Sequence, residues 1–459
     1  MDIFERSIQF LASIVWGPQT LVMLLGVGLF LTIRLRFVQV RRFRLSLRLL
    51  LGSQDFGESQ RERKGDISPF QALMTSLAAV IGNGNIAGVC TAIAMGGPGS
   101  VFWMWLGAIV GMATKLVETV LGQKFKKILP DGMIAGGPMY YIKYGLKLPW
   151  LAGIFAFFMG CKPLFSTSSV QSNSIALVLK TELGLAPWIS GLGLAILTWL
   201  VIIGGIKSIA RVAEIISPVM VILYILGALA TIVIFASRVP DAFSLIFIGA
   251  FKPSAITGGV AGMTVARAIR YGLSRGAYSN EAGTGTAAVF HASAKTSEPV
   301  RQGLLSSLDV FVDTLIICTL TALTVLITGV WTQGTSTEMT AAAFNAAMPG
   351  FGGYIVVASA LFFGYSSLIA VPYYGEVSFS YLFGMWIKKP FRWIFCCIIF
   401  VGATLEVEEA WSIGDLFNGG MAFTNMFGVL GLSALAVTTI KTYLKNMDNQ
   451  KFGGRGESI

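Results

Sequence analysis

The chain has 459 residues, 54% hydrophobic and only 12% charged, with a mean hydropathy of +0.73, against roughly 25% charged residues in soluble domains. That balance describes a polytopic membrane protein. It also removes nucleic acid as the reading of a net charge of +11, because the cations gather in a subset of loops, as membrane topology requires. One histidine, His291, and no Cys/His cluster set aside a zinc or haem site. The five cysteines, Cys90, Cys161, Cys318, Cys396 and Cys397, fall in apolar stretches and imply no disulfide framework.

Apolar segments close to or above ~18 residues recur along nearly the whole length. We read eleven spans, at about 17–36, 70–96, 99–126, 149–180, 186–204, 212–236, 258–290, 301–330, 352–384, 392–405 and 419–440. The first runs into an arginine-rich segment without a small-residue cleavage site, so it is expected to be retained. With the Arg34 to Lys64 loop inside, most of the 34 lysines and arginines fall on one side. The amino terminus is then outside and the carboxyl terminus in the cytoplasm, in a bacterial-type inner membrane. Trp411, Glu406, Glu408, Glu409 and Asp415 are expected to form an acidic outer loop.

Within the second span, Ile81-Gly82-Asn83-Gly84-Asn85-Ile86-Ala87-Gly88 interrupts a membrane helix. In hydrocarbon every backbone N–H and C=O needs a partner, so an unwound turn survives only where it is buried in protein or lines a wet cavity. Glycines also serve close helix packing, but two asparagines bring dipoles that packing does not need. The seventh span carries a second interruption, Asn280-Glu281-Ala282-Gly283-Thr284-Gly285-Thr286. Apart from the first helix, the remaining ten divide into two fives of opposite orientation. This gives an amino-terminal helix and basic loop (1–66), a first repeat (67–237), a second repeat (238–440) and a cytoplasmic tail (441–459). Paired Gly-interrupted segments at corresponding places of inverted halves point to the central site of a transporter.

A small zwitterion offers a carboxylate and an ammonium group, and helix breaks supply N–H groups and carbonyls for both. We expect the N–H groups of Asn83 and Gly84 to hold the carboxylate. Carbonyls near Val80, Tyr278 and Ser279, with the Glu281 carboxylate, would hold the amine. Gln171, in the polar stretch from Ser166 to Ser174, is a candidate side-chain donor, although such positions also bond neighbouring helices. Ser366 and Ser367, adjacent hydroxyls midway along a span, are candidate oxygens for a sodium ion, with ordinary helix back-bonding as the alternative.

Charges inside the membrane are costly unless paired or wetted. Lys162 lies midway along its span and almost on the opposite helix face from Gln171. We read it as structural: snorkelling, ion-paired, or a fixed charge where a cation would otherwise bind. Asp309 and Asp313 share a face at i and i+4 and are expected to answer Arg267, Arg270 or Arg275.

Several motifs then converge. Gly96-Gly97-Pro98-Gly99-Ser100-Val101-Phe102-Trp103-Met104-Trp105-Leu106 followed by Gly111-Met112-Ala113-Thr114-Lys115 resembles the signature of the alanine/glycine:cation symporter family, also called sodium:alanine symporters. Gly136-Gly137-Pro138-Met139-Tyr140-Tyr141, Ala268-Ile269-Arg270-Tyr271-Gly272, Ser279-Asn280-Glu281-Ala282-Gly283, Tyr373-Tyr374-Gly375-Glu376 and Leu416-Phe417-Asn418-Gly419 resemble it too. The resemblance implies an all-α polytopic, five-plus-five inverted-repeat fold with one extra amino-terminal helix. It also implies sodium-driven uptake of alanine or glycine by a monomer in the lipid bilayer, with Na⁺ as coupling ion, no other cofactor and no enzymatic activity. On this analogy the ion lies between the carbonyls of Ala78 and Ile81 and the hydroxyls of Ser366 and Ser367. Substrate lies beside Asn83, Gly84, Asn85, Gln171, Tyr278, Ser279, Glu281 and Val371.

Three positions depart from the family pattern: Asn83 stands in place of Thr, Ala370 of Gly, and Val371 of a pocket-closing Trp. The last change opens volume for a larger substrate. The expected function is Na⁺-coupled symport of a small neutral amino acid by alternating access. Its rivals are an H⁺-coupled or cation-independent transporter of a larger neutral amino acid, and an amino-acid sensor that does not transport. A channel would want a continuous polar or charged ring along a pore, and the two inverted breaks suit a closed central site better; a membrane enzyme would want a converging nucleophile and base, whereas His291 stands alone without a metal set.

Overall fold

The computed structural model describes residues 15, 17–52, 64–252, 264–332, 334, 336–405 and 408–453. Over them the chain is mostly helical, with one short hairpin, β1 (Lys127–Ile128) and β2 (Ile134–Ala135). In chain order the helices are α1 (Pro18–Arg34), α2 (Val38–Arg41), α3 (Phe43–Leu50), α4 (Pro69–Val80), α5 (Val89–Gly96), α6 (Ser100–Lys124), α7 (Pro138–Tyr144), α8 (Pro149–Lys162), α9 (Ser168–Leu183), α10 (Pro187–Ile202) and α11 (Gly205–Ile234). They continue with α12 (Val239–Phe251), α13 (Val265–Asn280), α14 (Thr286–Ala292), α15 (Pro299–Val310), α16 (Thr319–Thr328), α17 (Thr337–Ala347), α18 (Gly352–Phe383), α19 (Lys388–Gly402), α20 (Glu408–Gly431) and α21 (Ser433–Gly453).

Local chemistry sets the boundaries that matter. At α4 the Ser68 hydroxyl accepts from the Gln71 N–H at 3.1 Å while the Gln71 side chain accepts from the Ser68 N–H at 3.0 Å, a reciprocal cap with Pro69 in the first turn. Three helix pairs are joined through wider π-type turns: Gly84–Gly88 before α5, Pro163–Thr167 between α8 and α9, and Phe311–Cys318 between α15 and α16. Pro163 supplies the cause at the second, since it lacks an N–H and its ring clashes with the preceding turn. Such turns cluster at functional sites.

Among the described residues, five helical stretches are long and apolar enough to cross a membrane: α6, Pro149–Lys180, α11, Pro299–Thr328 and α18. Two bent pairs raise the number to seven, Pro69–Val80 with Gly84–Gly96 at 55° and Ile413–Gly431 with Ser433–Asn449 at 63°. Five to seven of the expected eleven spans meet this measure among the described residues, and α1 and α10 are shorter apolar helices at two more. The expected last span, 419–440, straddles the bend at Leu432, because an apolar window does not register where a helix turns. Trp411 and Asp415 belong to α20 rather than to a loop. The expected seventh span is a helix, a break and a seven-residue helix, α14. Its start at residue 258, together with Arg61, Arg63, Glu406 and Arg455, lies outside the described residues. Helices α12 and α17 were not anticipated.

Helix α6 is the central partner of the second break, packing on α13, α14 and α15 as well as on α1. Small residues permit this approach. A Cβ on Gly122 would stand 2.8 Å from the Ala288 carbonyl oxygen, and one on Gly303 would stand 2.9 Å from that of Leu116. Helix α4 packs on α11, α18, α15 and α14. Its entry is stitched to the exit of α14: the Lys295 N–H donates to the Ile67 carbonyl at 2.8 Å and the Asp66 N–H to that of Ser293 at 2.8 Å. The outer ends of the two interrupted segments are thereby locked together.

Buried polar groups on α6 are answered from other helices. Asn425 of α20 donates from Nδ2 to Glu118 Oε1 at 2.5 Å and to the Gly283 carbonyl at 2.9 Å, and its Oδ1 accepts from the Tyr141 hydroxyl. One amide thus ties α20, α6, α7 and the second break, all away from water. Asn425→Ala strands three buried groups at about 1–3 kcal/mol each, so its thermal unfolding in detergent is expected several degrees below wild type; an unchanged midpoint would refute this bridge.

Candidate functional site

The site is built where the two interruptions meet α15, α16 and α18. At the first, α4 ends as Ile81 turns extended. The Gly82 N–H then donates to Asn85 Oδ1 at 2.9 Å, so the break satisfies one of its own orphan donors with a side chain three residues on. Asn85 Nδ2 in turn donates to Asp313 Oδ1 at 2.6 Å. Asp313 also accepts from the Ser279 hydroxyl at 3.0 and 2.9 Å and from Thr314 Oγ1 at 2.7 Å. A single buried carboxylate therefore joins the first break to the last turn of α13.

One turn earlier, Asp309 accepts from Ser76 of α4 at 2.5 Å and lies 3.4 Å from Lys115 Nζ and 3.5 Å from His291 Nε2. Lys115, fully buried, also donates to the Asn280 carbonyl at 2.9 Å. Its ammonium sits at the carboxyl end of α13, where free carbonyls and the helix dipole favour a cation. Gln302 Nε2 donates to His291 Nδ1 at 2.6 Å, completing the cluster. Asp309 and Asp313 share a face as expected, yet neither answers Arg267, Arg270 or Arg275. Arg275 pairs with Asp415 at 3.1 Å, and the aspartates turn inward to Lys115, His291 and the hydroxyls.

At the second break Glu281 adopts a left-handed backbone, φ +53, which a non-glycine residue holds only under constraint. The constraint is visible: Lys162 Nζ donates to Glu281 Oε1 and Thr286 Oγ1 donates to Oε2 at 2.7 Å. The Lys162 ammonium also lies 5.7 Å from the Tyr374 ring centre. Lys162 is thus ion-paired, and the Glu281 carboxylate, expected to face an amine, is directed at Lys162.

Most of the sequence-predicted residues do come together. A Cβ on Gly82 would meet Ser367 Oγ at 2.8 Å and Gln171 Nε2 at 2.9 Å, so α9 and α18 both close on this backbone. The Asn83 N–H donates to Gln171 Oε1 at 3.4 Å, which makes Gln171 an acceptor here rather than the expected donor. Gly84 faces the Tyr278 ring, from which a Cβ at this position would stand 3.6 Å away. Ser366 Oγ stands 3.4 Å from the Ile81 carbonyl and donates to Phe363 O at 2.9 Å, as Ser367 does at 3.1 Å. Ala78 is fully buried on α4. Val371, one turn beyond Ser367, is fully buried with Ala370 in the apolar cluster that includes Leu164 and Tyr374.

Asn83 differs from its neighbours. It is buried, and neither Oδ1 nor Nδ2 has a hydrogen-bond partner among the described residues. A buried unpaired amide is costly, and this one lines a cavity of about 330 Å³ shared with Asn173, Ser174, Leu177, Glu338 and Val356. The sequence flagged Asn83 but not the cavity wall from α9, α17 and α18, which only packing assembles. It flagged Asp309 and Asp313 by spacing, but not Lys115 as their partner.

Residues 1–453 match the model of the sodium:alanine symporter family. The chain belongs to this family. It is 43% identical over 457 residues to the sodium/alanine symporter AgcS of Methanococcus maripaludis, covering 97% of this chain and 99% of that one. It is 35% identical over 446 residues to the amino-acid carrier protein AlsT of Bacillus subtilis, covering 96% and 92%. The crystal structure of MhsT in complex with L-phenylalanine shares the fold, with a TM-score of 0.58 at 13% identity over 83% of this chain and 99% of that chain. This member of the sodium:alanine symporter family is a multi-pass membrane transporter of amino acids and not an enzyme.

The buried Lys162–Glu281 pair yields a directional expectation. Lys162→Met leaves a buried carboxylate uncompensated, at about 3–5 kcal/mol, whereas Lys162→Met with Glu281→Gln removes both charges. The double variant is expected to recover most of the thermal stability lost by the single one. Additive losses in this cycle would contradict the pairing.

Proposed function

We propose that this transporter couples uptake of a small neutral amino acid to entry of Na⁺, by alternating access around the two helix breaks. The observation that carries the reading is Asn83: a buried amide with both polar atoms unpartnered, at the wall of a cavity, beside the unwound backbone at Gly82 and Gly84. Such a group wants a polar ligand.

The proposed substrate carboxylate lies against the N–H groups of Asn83 and Gly84 and the Asn83 amide, with Asn85 holding the turn open. The amine faces carbonyls of Tyr278 and Ser279 at the end of α13, where the helix dipole favours positive charge. Gln171 borders the carboxylate. Glu281 acts from behind, by fixing the left-handed turn through Lys162, and Val371 sets volume on the α18 side. The proposed sodium site uses the carbonyls of Ala78 and Ile81 and the hydroxyls of Ser366 and Ser367. The 3.4 Å approach of Ser366 to the Ile81 carbonyl supports this set. Ion binding there would draw α18 onto the first break, and the same contacts would make sodium and substrate raise each other's affinity.

Two five-helix halves, 67–237 and 238–440, form the proposed moving bodies, with the amino terminus outside and the carboxyl terminus in the cytoplasm. In that orientation the Asn83 cavity opens outward. Proteoliposomes with an inward Na⁺ gradient are expected to accumulate labelled alanine and to lose accumulation when the gradient is collapsed. Asn83→Ala is expected to raise KM on the order of 10-fold, the cost of one lost hydrogen bond to a charged group. Accumulation indifferent to Na⁺ would overturn the coupling, and an unchanged KM would remove Asn83 from the site.

A further inference from the structure

The basic segment after α1 folds onto the carboxyl-terminal helix instead of standing apart in solvent. Arg36 and Phe37 both take left-handed backbone conformations, φ +53 and +56, which turn the chain sharply at the end of α1. The turn brings α2 and the start of α3 against α21, where Arg42 grips Asp448 with two bonds, Nη1 to Oδ1 at 3.0 Å and Nη2 to Oδ2 at 2.5 Å. A planar fork on a carboxylate fixes geometry as well as charge.

Between these segments lies a cavity of about 370 Å³. Its wall carries Arg36, Arg41, Arg42, Lys441 and Lys445 against one carboxylate, Asp448, which Arg42 engages. Leu35, Val38 and Leu444 line the same space. Beside it Phe37 and Val40 are 50% and 61% exposed. The positive-inside rule asks only for cations near the membrane face; it asks neither for an open cleft that gathers them nor for an ordered clamp at its edge. Nor does a small soluble anion need exposed apolar side chains as neighbours. Cations around a cavity at the end of an apolar helix, with apolar side chains alongside, match the two-part chemistry of a lipid, a charged head and a hydrocarbon body.

We propose that this cavity holds the phosphodiester headgroup of an anionic phospholipid, with the acyl chains along α1 past Phe37 and Val40. The lipid adds a further tie between the end of α1 and α21, which also meet through apolar contacts and the neighbouring Arg42–Asp448 pair.

The test uses the full-length protein purified in detergent and titrated with cardiolipin, phosphatidylglycerol and phosphatidylcholine, with binding read by native mass spectrometry and stability by thermal unfolding. The anionic lipids are expected to bind saturably and to raise the unfolding midpoint, phosphatidylcholine to do neither, and millimolar inorganic phosphate to leave the bound lipid in place. The variant Arg41→Gln/Lys441→Gln/Lys445→Gln, at exposed positions, is expected to lose affinity on the order of 100-fold, about 5-fold for each cation removed. Lys441→Arg/Lys445→Arg keeps the charge and is expected to keep the affinity. Equal binding of phosphatidylcholine, unchanged affinity in the triple variant, or loss in the charge-keeping variant would overturn the proposal. Displacement by inorganic phosphate would overturn it in favour of a small-anion site.

Discussion

An unwound turn inside a membrane has to find partners for its backbone, and here the side chains that flank the two breaks are themselves anchored on two aspartates of one helix face. Asp313 takes the Asn85 side chain that closes the first break and the Ser279 hydroxyl at the edge of the second. Asp309 takes Ser76 and stands against Lys115, which caps the end of α13. Neither break is therefore held by its own helix alone. Each is bonded to a carboxylate that also touches the other, the two carboxylates lying about one helical turn apart on α15 and its continuation.

The charges in this arrangement are stabilised in sets. Lys115, Asp309 and His291 are fully buried, and Lys162 and Glu281 nearly so. Ions out of water persist only with partners of opposite charge and with their remaining hydrogen-bonding capacity filled. The Lys115 set is held by Asn280 and Ser76, with Asp309 Oδ1 left without a hydrogen-bond partner among the described residues, and the Lys162 set by Thr286. The amide of Asn83, like that of Asn418, is buried with both polar atoms unpartnered among the described residues, and Asn83 also lines a cavity, which is what suits it to the proposed ligand. It occupies the place where a smaller hydroxyl residue is the family expectation, and glycine keeps the backbone bare on both sides of it.

The basic loop and the tail illustrate a different use of charge. Cations that topology alone would scatter along one membrane face are gathered by two left-handed residues and one ion pair around a single cleft. Their concentration there makes the end of α1 an electrostatic feature of the fold rather than a sorting signal only.

How much of this was legible in the chain depends on distance along it. Composition determined the membrane class, since 54% hydrophobic and 12% charged residues leave no soluble alternative. The Gly82-Asn83-Gly84-Asn85 and Asn280 to Gly285 interruptions were legible because unwinding in hydrocarbon needs glycine and side-chain amides at adjacent positions, and the motifs pointed to the family. The bends inside the spans were not, because an apolar window passes over the one at Leu432 and reads α13, a break and α14 as one helix. The partners of Lys115, Lys162, Asp309 and Arg275 were not either. Spacing tells which residues share a face, but which charge a face meets is decided across 100 residues or more by helix packing, as with Lys162 and Glu281, 119 positions apart. Sequence by itself determined the breaks and the chemistry they offer; only the tertiary structure decided that Glu281 answers a lysine while the Asn83 amide is buried without a partner at a cavity wall.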